Sequence, residues 1–97
     1  MITLAEIKNI LLQNMEDLEE KFFVKELAIF GSYVRNEQNE RSDVDILVDF
    51  KEPIGFFKFI ELENHLSNLL GIKVDLVTKK ALKPIMGKQI IQESVKV

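Results

Sequence analysis

Ser42-Asp43-Val44-Asp45-Ile46-Leu47-Val48 reads as an apolar strand that carries two carboxylates at alternate positions. Successive strand side chains alternate faces, so Asp43 and Asp45 share one face while Val44, Ile46 and Val48 point into a core. Two carboxylates side by side repel each other unless something positive lies between them. A hard divalent cation answers this, and Mg²⁺ takes one or two carboxylates and completes its shell with water and substrate phosphates. Upstream, Phe30-Gly31-Ser32 is the end of another strand running into a glycine-serine turn. Glycine there lets backbone approach a phosphate, and the N–H groups that follow can donate to it. The pair of motifs implies phosphoryl or nucleotidyl transfer.

A third carboxylate, Asp75, stands in Lys73-Val74-Asp75-Leu76-Val77, a short apolar run. An isolated charge among apolar neighbours is costly, so Asp75 is expected to be paired, with Lys73 or Lys80, or metal-bound. If both strands share a sheet, Asp75 completes a three-carboxylate cluster, enough for two metal ions roughly 3.5–4 Å apart. Asp49 shares the parity of Asp45 but lies about 13 Å further along the strand, too far for the same ion.

The rest of the chain supplies a scaffold. Thr3-Leu4-Ala5-Glu6 fits a capping box, and Leu4, Ile7, Ile10, Leu11, Met15 and Leu18 recur at helical spacing to near Lys21. Strands are predicted over Val24 to Phe30, Asp43 to Phe50 and Ile72 to Thr78, with one helical turn over Ser32 to Arg35. A buried amphipathic helix over Ile54 to Leu70 stops at Gly71. Phe56, Phe57 and Phe59 belong to it as core, or else as a surface for a partner or for self-association. Pro84 opens a last helix through about Glu93. The expected fold class is α/β (α+β): a small mixed β-sheet with helices packed on it, in one domain spanning 1–97.

Composition narrows the classes. The 97 residues carry net charge −3 with 46% hydrophobic residues and no cysteine, which excludes disulfides, thiolate zinc sites and thiol nucleophiles. Lys and Arg are scattered, against a dedicated nucleic-acid binder. No apolar run approaches the roughly 20 residues of a membrane span, and Met1 to Glu6 lacks the features of a signal peptide, so a cytoplasmic protein is expected. His65, mid-helix, reads as packing rather than a general base. Tyr33 fits packing or a nucleotide contact equally. Arg35 and Arg41 are loop cations able to neutralise phosphate, and Lys79 and Lys80 read as a solvated face.

Gly31-Ser32, the loop ending in Ser42, Asp43-Val44-Asp45 and Asp75 together resemble the DNA polymerase β-like nucleotidyltransferase superfamily, most closely its minimal nucleotidyltransferase (MNT) branch. Val74-Asp75-Leu76-Val77-Thr78 and Ile90-Ile91-Gln92-Glu93 resemble that branch's ending. The resemblance implies that Gly31, Ser32 and Arg35 hold nucleotide phosphates and that Asp43, Asp45 and Asp75 are catalytic and bind Mg²⁺, as two ions. It implies transfer of AMP from ATP to an acceptor hydroxyl, on a helical HEPN-type protein in a toxin-antitoxin pair, because too little chain follows Asp75 to build an acceptor-binding domain. The competing reading is a catalytically silent module of the same fold that neutralises its partner by binding. The chain departs from the family's usual Ala-Arg-Gly with Val34-Arg35-Asn36. Asn36 tolerates a left-handed backbone better than most residues, so the turn is expected to survive.

Overall fold

The computed structural model describes residues 1–82 and 87–97. Among them the elements run α1 (Leu4–Gln13), α2 (Met15–Phe22), β1 (Val24–Phe30), α3 (Ser32–Arg35), β2 (Val44–Phe50), α4 (Phe56–Leu70), β3 (Val74–Thr78), α5 (Lys79–Leu82), α6 (Gly87–Glu93) and β4 (Val95–Lys96).

The capping box forms: the Thr3 hydroxyl accepts from the Glu6 N–H at 3.1 Å, and Glu6 accepts from the Thr3 N–H at 3.2 Å. The single N-terminal helix read from periodicity is two. Asn14 leaves helical geometry at φ −103°, ψ 3°, and its side-chain amide donates to the Ile10 carbonyl at 2.8 Å. A short amide competing for backbone carbonyls breaks a helix this way. The break re-aims α2 so that Leu18 and Phe22 still reach the core. The helix start assigned to Pro84 lies outside the described residues; α5 and β4 were not anticipated.

The sheet order is β3-β2-β1-β4. β1 lies antiparallel to both β2 and β4, and β2 runs parallel to β3. Ile29 pairs with Ile46, and Leu27 with Val48, so one face of the sheet is aliphatic. Against it pack Ile7, Leu11, Leu18, Phe22, Leu62, Leu66 and Leu70 from α1, α2 and α4. Leu66 is fully buried, so Leu66→Ala is expected to cost about 2–5 kcal/mol in a denaturant titration.

The free edge of β3 is closed by α4. Ser67 Oγ accepts from the Val74 N–H at 2.9 Å, and Glu63 Oε2 accepts from the Leu76 N–H at 2.8 Å. Covering an edge strand in this way removes a template for aggregation. Of the two readings open for Phe56 and Phe57, core or surface, the structure shows surface: they are 72% and 86% exposed.

Candidate active site

The second face of the sheet carries the site. β2 places Asp45 and Leu47 there, and the parallel register sets Asp75 directly beside Asp45. Neighbouring strands lie about 4.8 Å apart, so the two carboxylates are lateral neighbours. Asp43, just before β2, shares their face. On the other flank, Phe30 pairs with Asp45, which brings the next residue, Gly31, against the same carboxylate.

Gly31 adopts φ 77°, ψ −148°, a region essentially closed to side-chain-bearing residues. A Cβ at this position would collide with the Asp45 Oδ2. The Gly31 carbonyl accepts from the N–H groups of Val34 and Arg35, each at 3.1 Å, which winds α3 into its single turn. Asn36 ends that turn in the left-handed conformation at φ 58°, ψ 37°, so asparagine serves where the family's usual glycine would stand. Ser42 anchors the following loop: its Oγ accepts from the Asn39 N–H at 2.9 Å and its N–H donates to the Asn39 carbonyl at 3.0 Å. Side-chain bonds of this kind hold a polar loop without apolar packing.

The electrostatics are those of crowded anions. The Asp45 carboxyl is held above the usual carboxylate range, first by burial, then by the charges of Asp75 and Asp43, with Arg35 opposing. Asp75 is exposed rather than buried, which corrects the expectation of a charge sealed among apolar neighbours. Alternation explains it: Val74 and Leu76 face the core and Asp75 faces out. Nor do Lys73 and Lys80 serve Asp75. The Lys73 ammonium stands 3.7 Å from Asp43, an exposed pair of small energetic weight.

Among the described residues, no three acidic or imidazole side chains already stand close enough to enclose a metal ion. Asp43 is turned toward the Lys73 ammonium. The donor set nevertheless fits a hard cation: carboxylate oxygens from adjacent strands on one face, whose crowding disfavours the ionised form of Asp45.

Arg35 points its Nε at Glu37 (3.4 Å) and a terminal nitrogen at Glu93 of α6 (4.0 Å). Arg41 lies exposed in the loop, its N–H bonded to Asn39. Tyr33 is buried with the core, which decides for packing. His65 lies on α4 with its ring 5.5 Å from Phe22, away from the carboxylates. Lys79 is no free cation: it binds Glu26 at 3.2 Å, and Lys96 binds the same carboxylate at 3.3 Å. This cluster, which holds Glu26 below the usual carboxylate range chiefly through its hydrogen bond to Lys79, escaped the sequence reading. Only the strand order brings residues so distant in sequence together.

A cavity of about 500 Å³ lies at the far end of β2 between Phe50, Ile54, Phe56 and Phe59. It contains none of the three clustered aspartates, so size alone does not mark the reactive centre.

Residues 7–97 match the nucleotidyltransferase domain family. The protein adenylyltransferase MntA of Thermococcus cleftensis is 53% identical over 95 residues, covering 98% of this chain and 96% of that one. A crystal structure of a toxin-antitoxin with AMP-PNP superposes with a TM-score of 0.75 at 25% identity, covering 92% of this chain and 70% of that one. A Shewanella oneidensis structure, tri-AMPylated HEPN toxin in complex with MNT antitoxin, shares the fold with a TM-score of 0.69 at 22% identity, covering 95% and 69%. The turn at Gly31 and the carboxylates of β2 and β3 thus sit in a fold these proteins share, and the chain belongs to the nucleotidyltransferase domain family, as one of its minimal members.

Proposed function

We propose that this protein transfers AMP from ATP to a hydroxyl group on a helical HEPN-type partner, and thereby acts as the antitoxin of a toxin-antitoxin pair. The observation that carries the reading is the convergence of Asp43, Asp45 and Asp75 on one sheet face beside the Gly31 turn. The names of the relatives support the adenylyl donor and the protein acceptor.

Each residue has a role its position suits. Gly31, lacking a side chain, leaves room for phosphate beside Asp45, and Ser32 begins the short turn, where its hydroxyl and backbone N–H would donate to phosphate. Arg35 supplies positive charge to the triphosphate by exchanging its exposed carboxylate partners for phosphate. Asp43, Asp45 and Asp75 would hold Mg²⁺, as two ions. When bound, the metal offsets the charge that builds on the phosphates during transfer. Asp75, exposed on β3, is open to an incoming acceptor and takes its hydroxyl proton. The acceptor oxygen forms a bond to the α-phosphorus, the bond to the β-phosphate oxygen breaks, and pyrophosphate leaves. Positioning and charge neutralisation dominate such reactions, so a small scaffold suffices.

The test is transfer of label from ATP, with Mg²⁺, to the product of the neighbouring gene co-purified with this chain. Label on the partner that disappears with Asp43→Asn is the expected result. A stable complex without label, from folded protein, would establish the silent binding module instead.

A further inference from the structure

β3 is an edge strand of the sheet, and Asp75 is its second residue. Peptide groups along a strand alternate in direction. The Lys73 carbonyl accepts from the Val44 N–H, so Asp75 also turns its peptide groups to β2, and the N–H groups of Val74 and Leu76 point off the sheet. Two side chains of α4 meet them there. Ser67 Oγ accepts from the Val74 N–H at 2.9 Å, and Glu63 Oε2 accepts from the Leu76 N–H at 2.8 Å.

We propose that Glu63 and Ser67 are positioning residues for Asp75: by bonding the peptide groups on either side of it, they hold its carboxylate in place on the reacting face. The inference rests on the role given to Asp75 above. The fit is one of spacing. Residues four apart on a helix are separated by about 6 Å along its axis, and alternate residues of a strand by about 6.6 Å. The earlier helix residue meets the later strand residue, so the two bonds bracket Asp75. The acceptors are themselves held. Leu62 and Leu66, their neighbours in the chain, are fully buried. The Ser67 hydroxyl donates to the Glu63 carbonyl at 3.0 Å, which leaves its lone pairs for Val74.

The Asp75 carboxylate has no such support of its own. Among the described residues it enters no ion pair, and it is exposed. Its backbone therefore decides where the carboxylate stands. Asp45 differs, because β2 lies between β1 and β3 and is paired on both sides. At the edge, α4 does for Asp75 what a further strand would do. Glu63 is the stronger of the two anchors, since a hydrogen bond to an ionised acceptor exceeds one to a hydroxyl.

The experiment measures transfer of label from ATP, with Mg²⁺, to the co-purified partner. It takes kcat and the KM for ATP at a temperature where each variant keeps the circular-dichroism spectrum of the parent. Glu63→Leu keeps bulk and removes the acceptor, whereas Glu63→Gln keeps an acceptor oxygen at the same reach. Glu63→Leu is expected to lower kcat about 10–100-fold, the range for losing a partner that orients a reacting or metal-binding group. The KM for ATP should stay within about twofold of the parent, because the Gly31 turn and β2 are untouched. Glu63→Gln should recover most of the loss. Ser67→Ala releases the Val74 N–H alone and should lower kcat in the same sense, less steeply; it carries the test if Glu63→Leu does not fold. Parent kcat in the folded variant, a Glu63→Gln as slow as Glu63→Leu, or a loss confined to the KM for ATP overturns the positioning role and leaves the transfer reading standing. A parent protein that transfers no label overturns the role of Asp75 itself, and this inference falls with it.

Discussion

Asp45→Asn is expected to abolish AMP transfer and, in the same protein, to raise the melting temperature measured with EDTA present. The loss follows from position. Asp45 is the one carboxylate that touches every part of the site, with Asp75 beside it on β3 and the Gly31 turn against its side chain. Neutralising it removes a proposed metal ligand and lowers transfer by more than the roughly 10–100-fold expected from losing a supporting partner. The gain in stability follows from charge. Burial, Asp75 and Asp43 all press the Asp45 carboxyl above its ordinary pKa, so the folded state binds this proton more tightly than the unfolded chain does. Stability contributed by this group therefore falls as pH rises from the ordinary carboxylate range through the raised folded value, and the full penalty is present above it. Asn carries no charge to repel. The parent and Asp45→Asn curves of melting temperature against pH should converge in acid and separate toward neutrality, with the variant higher. A variant that melts lower at neutral pH would mean that Asp45 is held by favourable contacts, contrary to the crowding described above.

Gly31→Ala is expected to damage both fold and activity, for two separable reasons. The backbone at φ 77°, ψ −148° is open in practice only to glycine, and forcing alanine into it costs about 1–3 kcal/mol. For a domain of this size each kcal/mol is worth about 4–8 °C in melting temperature. The added methyl group also meets the Asp45 carboxylate, which must move. Gly71 supplies the control: it too has a positive φ, 73°, but a Cβ there meets nothing within 4 Å. Gly71→Ala should lower the melting temperature and leave transfer intact, whereas Gly31→Ala should eliminate transfer even at temperatures where the variant is folded. Equal loss of transfer in both would reduce the role of Gly31 to ordinary stability.

Much of this site was legible in one dimension because its signals are local. Alternation along Val44 to Val48 gave the buried face of β2 and put Asp43 and Asp45 on the other. Glycine after an apolar strand gave the turn, and the tolerance of asparagine for left-handed backbone gave its survival at Asn36. The capping box at Thr3 and the stop at Gly71 were equally local, each fixed by a few neighbouring residues.

Other features depended on contacts that no spacing encodes. The break at Asn14 reflects a side-chain bond to Ile10 that competes with a helix whose apolar periodicity continues across it. Exposure of Phe56 and Phe57 depends on where α4 packs, since Leu62, Leu66 and Leu70 further along the same helix are core. Glu26 gathers Lys79 and Lys96 only because β4 returns to pair with β1 and α5 follows β3.

The sequence by itself determined the three strands β1, β2 and β3, the turn at Gly31, and that Asp43 and Asp45 share a face, because alternation and backbone sterics act over a few residues. Only the tertiary structure decided that Asp75 stands beside Asp45, that Asp43 is turned toward Lys73, and that Glu63 and Ser67 reach the edge of β3. Those facts follow from strand order and register, which are set by burying one aliphatic face under α1, α2 and α4.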